Sequence, residues 1–145
     1  MMNLIEQLKR HVAFNACVIK TNLNERLIGY GHDVNKSPLP EHLQRNFDYQ
    51  PMTTDEAIEV LACDILDIYG PLIAYVDFTA WSQPRQRALL AYVYMVGFAD
   101  FGKDRILVHA LNMGEFDLAA QCIALISVRG IYAEIADQFK YGGDK

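Results

Sequence analysis

Few residues of this chain have the type and spacing that chemistry needs. His11, His32, His42 and His109 show no convergent spacing that would let them share a metal ion. Cys17, Cys63 and Cys122 are odd in number and lack a Cys-x-x-Cys pair, so neither a disulfide framework nor a zinc site is expected. They read as buried thiols, and neither metal nor cofactor is expected. The glycines of Ile28-Gly29-Tyr30-Gly31-His32 would cradle a phosphate only in a strand–loop–helix setting with a third glycine, which does not follow. They read instead as backbone freedom at the exit of a hairpin. No Ser/His/Asp-like constellation is evident. Glu25, Asp33 and Asp48 lie in the N-terminal part of the chain, each in a turn-like context where a solvated charge is the default. Lys9, Arg10 and Lys20 read as solvated faces of a helix and a strand.

Composition narrows the classes of partner. At 145 residues the chain suits one domain, or two small lobes sharing a helix. Its formal charge of −5 repels polyanions, so no nucleic acid is expected, and it is awkward for an enzyme that approaches an anionic cell wall. The longest uncharged run, Ala88 to Ala99, is short of the ~20 apolar residues that span a bilayer, so no membrane is expected. Met1 to Lys9 carries charge at Glu6 and Lys9, with no apolar stretch and no cleavage site, so no signal peptide is expected and the setting is cytoplasmic.

The positioning elements follow from periodicity. Asn3 reads as the N-cap of a first helix whose apolar face is Leu4, Ile5, Leu8 and Val12. Cys17-Val18-Ile19 and Arg26-Leu27-Ile28 flank a turn-rich link and form a small hairpin. Ser37-Pro38-Leu39-Pro40 breaks structure before a short helix over 41–47. Thr53 and Glu56 make a Thr-x-x-Glu capping box for a long helix with Ala57, Leu61, Ile65 and Ile68 on its apolar face, ended or interrupted at Gly70-Pro71. Ser82 and Pro84 open the next helix, apolar all round from Ala88 to Val96. Three more amphipathic helices follow, on Ile106–Leu111, Phe116–Ile123 and Ile131–Phe139.

The order of these motifs resembles that of phage-type lysozymes, glycoside hydrolase family twenty-four, of which the T-even phage endolysin is a familiar member. The family's N-terminal motif runs roughly Leu-Lys-Arg-His-Glu-Gly-Phe-Arg, then Tyr-x-Asp, then Thr-Ile-Gly-Tyr-Gly-His. Here the matching residues are Leu8-Lys9-Arg10-His11-Val12-Ala13-Phe14-Asn15 and Leu27-Ile28-Gly29-Tyr30-Gly31-His32. Thr53-Thr54-Asp55-Glu56-Ala57 matches the start of the family's interlobe helix. Gln83-Pro84-Arg85-Gln86-Arg87-Ala88-Leu89-Leu90 and Gly114-Glu115-Phe116-Asp117-Leu118-Ala119-Ala120 resemble its C-terminal lobe.

The resemblance implies a mainly helical α+β, lysozyme-like domain over residues 1–145: an N-terminal helix and β-hairpin lobe (1–52), an interlobe helix region (53–78) and a helical C-lobe (79–145). It also implies a loss. The family's catalytic glutamate falls on Val12, its catalytic aspartate on Thr21 and its cleft threonine on Leu27, while polar cleft positions fall on Ala91 and Met95. Glycoside hydrolysis needs one carboxylic acid and one carboxylate, and valine and threonine supply neither, so no catalytic residue is assigned. His32 and Asp64 match a scaffold pair, expected to clip the hairpin sheet to the interlobe helix. Val12, Thr21, Leu27, Ala91 and Met95 would turn a sugar cleft into an apolar groove suited to a protein partner. The expected function is a catalytically inactive, phage- or prophage-encoded module of the bacterial cytoplasm or of a virion baseplate. The alternatives are a peptidoglycan muramidase with atypical catalytic residues and a glycan-binding relic.

Overall fold

The computed structural model describes residues 2–142. The chain forms two compact units, Met1–Asp64 and Ile65–Lys145. Its fold is α+β and mainly helical: seven α-helices and a three-stranded antiparallel sheet among the described residues.

In the first unit, helix α1 (Met2–His11) buries Leu4, Ile5 and Leu8, the one-sided spacing read from the sequence. It starts ahead of Asn3, which therefore lies in the first turn and is not the cap. The sheet runs β1 (Asn15–Lys20), β2 (Arg26–Gly29) and β3 (His32–Asp33). The hairpin thus gains a third strand that hydropathy could not announce in two residues. Gly29 and Gly31, at φ of 63° and 90°, turn the chain back so that Ile28 pairs with His32 and Leu27 with Asp33. Gly29 is also fixed by space, since a Cβ there would stand 3.3 Å from both Ala57 Cβ and Met52 Sδ.

The short helix expected over 41–47 shrinks to one 3-10 turn, Glu41–Leu43, because Gln44 is already extended. Helix α2 (Thr54–Tyr75) begins at a complete capping box. The Thr53 N–H donates to Glu56 Oε1 at 2.9 Å, and the Glu56 N–H to Thr53 Oγ1 at 3.2 Å. Pro71 does not end α2. An interior proline costs ~3 kcal/mol, but the helix goes on to bury Leu72, and Val76 beyond it, each worth ~1.5–3 kcal/mol.

The second unit is helical. Helix α3 (Gln83–Val96) buries six consecutive residues, Ala88 to Val93, on all sides, as its apolar run foretells. Ser82 stands at its N-cap position without capping, its hydroxyl donating instead to Gly142 O at 2.6 Å. Gly97, at φ 89°, separates α3 from α4 (Phe98–Lys103), an element too short to show a period. Then come α5 (Arg105–Asn112), capped by Asp104, α6 (Phe116–Ala124) and α7 (Gly130–Tyr141). Helix α7 packs against α3 and α6, with Phe116 and Phe139 stacked and the Arg85 guanidinium 3.9 Å over the Phe116 ring. Among the described residues no helix is long and apolar enough to cross a membrane.

Candidate functional site

The position matched to the lysozyme acid lies where α1 ends. The Val12 N–H donates to Leu8 O at 2.9 Å, and the side chain is a half-buried hydrocarbon. That side chain exchanges no proton. The position matched to the aspartate, Thr21, opens the turn between β1 and β2. Its Oγ1 accepts from the N–H groups of Leu23 at 3.3 Å and Glu25 at 3.2 Å, and donates to Glu25 Oε1 at 3.1 Å. A hydroxyl has one proton and two lone pairs, so this set uses it completely. The Thr21 N–H also reaches Glu25 O at 2.9 Å, and Asn24 takes the left-handed conformation at φ 60° that asparagine tolerates. Thr21 is the knot of a turn.

The nearby carboxylates take structural posts as well. Glu25, expected as a solvated charge, is half-buried and holds Thr21. Asp33 Oδ1 accepts from the N–H groups of Asn35 at 2.9 Å and Arg26 at 3.3 Å. Asp48 is exposed. Leu27 lies half-buried in β2, opposite Ile19 on one side and Asp33 on the other. In the second unit, Met95 is half-buried on α3, whereas Ala91 is fully buried and offers a partner no surface. Placing Ala91 among partner-contacting residues is therefore corrected. It sits in the fully enclosed part of α3, where a small side chain permits close packing.

His32 and Asp64 meet inside the first unit. Strand β3 presents His32 Nδ1 to Asp64 Oδ2 at 2.8 Å, and His32 Nε2 lies 2.8 Å from the Ser37 carbonyl oxygen. Both partners only accept, so both ring nitrogens must donate to satisfy them, which the imidazolium does and neutral imidazole cannot. Burial pulls the His32 pKa down. The Asp64 hydrogen bond and charge, with the Ser37 carbonyl and Asp33, pull harder, and it ends above the ordinary 6.5. Sequence reasoning named the two side chains but missed the Ser37 carbonyl, since a backbone acceptor leaves no residue-type signal.

The other histidines stand apart from this pair. His42 pairs with Glu59 at 3.1 Å on the surface, and His11 and His109 are exposed. Among the described residues no three of His, Cys, Asp and Glu gather as metal ligands. None of the three cysteines is in a disulfide, but the expected burial fails for Cys63, which is exposed on α2, and is only partial for Cys17 and Cys122. On α2 the buried positions are Ala57, Val60, Leu61 and Ile65, and Cys63 falls off that stripe.

No protein-family model matches this chain, and no curated protein matches it in sequence. Solved structures do match. The muramidase domain of SpmX from Asticaccaulis excentricus is similar with a TM-score of 0.73 and 19% identity, over 97% of this chain and 94% of that one. An endolysin from Escherichia coli O157:H7 phage FAHEc1 has a TM-score of 0.74 and 14% identity, over 98% and 93%. A mutant of P22 lysozyme has 0.75 and 17%, over 97% of each chain. The fold is that of lysozymes and muramidases.

Proposed function

We propose that this chain is a catalytically inactive lysozyme-like domain that works as a binding module, descended from phage-type lysozymes of glycoside hydrolase family twenty-four. The observation that carries this reading is the hydrogen-bonding of Thr21. At the position matched to the aspartate, the one hydroxyl is consumed by its own turn, and at the position matched to the acid stands Val12. General acid catalysis contributes ~10² to 10⁴ in rate and requires a group that can part with a proton. The partner in this reading is another protein, met by hydrocarbon: in the first unit, Val12 and Leu27 keep partly accessible apolar side chains where the family's sugar cleft would need polar ones. The setting is a phage or prophage product, cytoplasmic or part of a virion baseplate. Likeness to a phage endolysin and to P22 lysozyme supports that origin.

A second reading, a muramidase with relocated groups, is favoured by one observation: Glu25 Oε1 lies 3.1 Å from Thr21 Oγ1, so a carboxylate has entered the neighbourhood of the matched aspartate. One experiment separates the two. Purified peptidoglycan incubated with the protein between about pH 4 and about 8, the span in which carboxylic acids and their partners titrate, is expected to release no muropeptides above buffer. Release that disappears with Glu25→Gln would establish the muramidase. Co-sedimentation with intact sacculi, without release, would identify the glycan-binding relic instead.

A further inference from the structure

Strands β1 and β2 segregate charge from hydrocarbon. Their register sets Lys20 directly opposite Arg26 and, one step on, Ile19 opposite Leu27, so alternation sends the two cations to one face and the two aliphatic side chains to the other. Like charges directly opposite each other destabilise a sheet. The chain has carboxylates in excess, yet among the described residues neither Lys20 nor Arg26 has an ion-pair partner. Both side chains border an open recess of about 450 Å³ on their face of the sheet, whose far wall is the segment 45–48.

That far wall is fixed in place. Arg45 donates through Nη1 and Nη2 to the two Glu56 oxygens at 2.7 and 2.8 Å, and to the carbonyls of Gln50 at 2.8 Å and Pro51 at 2.9 Å. The Cys17 thiol reaches Phe47 O at 3.2 Å, and the Met52 N–H reaches Ala16 O at 2.8 Å, tying the wall to β1. A wall already ordered costs a ligand little to engage. Since Glu56 neutralises Arg45, the positive charge facing the recess is that of Lys20 and Arg26, opposed by Asp48 alone among its lining residues.

An arginine fork beside a lysine point charge matches a phosphoryl group better than a single carboxylate, because two cations balance a phosphate monoester of ~−1.5 to −2 charge. Asp48 would repel a bare anion but accepts from hydroxyls. Asn46 Oδ1 is held by the Asp48 N–H at 3.0 Å, which leaves its amide N–H groups to donate. The volume lies within the range of small-molecule sites and is larger than phosphate alone requires. We infer that this recess, on the sheet face opposite Leu27, binds a phosphorylated polyol or sugar, with the phosphoryl group on Lys20 and Arg26 and the hydroxyls on Asp48 and Asn46.

Calorimetric titration of the full chain with glycerol 3-phosphate, inorganic phosphate and glycerol tests the inference. Glycerol 3-phosphate is expected to bind saturably in the millimolar range or tighter, more tightly than phosphate, with glycerol silent and added salt weakening the binding. The Lys20→Ala/Arg26→Ala double variant should lose roughly tenfold or more in affinity, in line with loss of charge-assisted hydrogen bonds. Its melting temperature should not fall, because a like-charge pair has been removed. Asp48→Ala should erase the preference for glycerol 3-phosphate over phosphate. The inference is overturned by absence of saturable binding, by unchanged affinity in the folded double variant, or by phosphate binding as tightly as glycerol 3-phosphate.

Discussion

Two histidine–carboxylate pairs tie neighbouring segments to helix α2, and they differ mainly in water. His32 approaches Asp64 at 2.8 Å with side chains 5% and 20% exposed; His42 approaches Glu59 at 3.1 Å with side chains 63% and 47% exposed. The inner histidine is also held at its second nitrogen by the Ser37 carbonyl, so its orientation is set from both sides. The outer one engages two oxygens of one carboxylate through one nitrogen. In both, a ring nitrogen faces a carboxylate oxygen at hydrogen-bond distance. The pair whose partners cannot fall back on solvent should govern stability, and the pair that can should be nearly dispensable.

The largest effect expected is at Asp64. Asp64→Asn removes the charge that favours the doubly protonated His32 and replaces a charge-assisted hydrogen bond with a neutral one at a buried ring. A loss of about 2 kcal/mol is expected, the usual cost of a buried polar group left badly paired, measured by urea unfolding at pH 6. A loss no greater than that of an exposed ion pair would break the comparison. The pH dependence has a definite sign. Because the folded His32 pKa is raised above 6.5, the native state holds its proton at a pH where the unfolded chain has released it. The histidine's contribution is therefore complete below 6.5 and declines as pH rises through the folded value. The stability difference between the wild type and Asp64→Asn should shrink over that window, and an NMR titration of His32 should place its midpoint above that of an unfolded reference.

An intermediate effect is expected where α2 begins. The Glu56 carboxyl is held at about 2, chiefly by the Arg45 guanidinium and then by the Thr53 N–H. Its contribution is present above the ordinary value of 4.5 and lost as pH falls through about 2. Thr53→Ala removes the reciprocal half of the capping box and should cost about 1 kcal/mol, read by thermal unfolding at neutral pH. This site sharpens the comparison, because a partly exposed carboxylate is held by several donors at once where Glu59 has a single ring nitrogen.

What the sequence made legible follows the same physical divide. The capping box was readable because Thr53 and Glu56 interact over one helical turn, and the face of α1 because Leu4, Ile5 and Leu8 repeat with its period. The fold class was readable through motif order. Strand β3 was not, since two residues have no period, and neither was the persistence of α2 through Pro71, which depends on packing at Leu72 and beyond. At the candidate site the residue types at Val12 and Thr21 were visible, but the closed hydrogen-bond set of Thr21 was not, because it uses the backbone of Leu23 and Glu25. Lys20 read as a solvated charge. Only the register, which sets it opposite Arg26, makes it part of a recess.

The smallest effect belongs to the outer pair. Removing either partner, by His42→Ala or Glu59→Ala, should change stability by no more than ~0.5 kcal/mol, because solvent replaces the lost contact at both ends and two exposed side chains regain rotamer freedom. The double variant completes the cycle, and its coupling energy should fall toward zero as salt is raised, since screening acts on exposed charges first. The corresponding cycle at His32 and Asp64 should keep its coupling in the same salt, because bulk ions reach a buried pair poorly. If the outer pair showed the larger and more salt-resistant coupling, burial would not be what distinguishes the two clips.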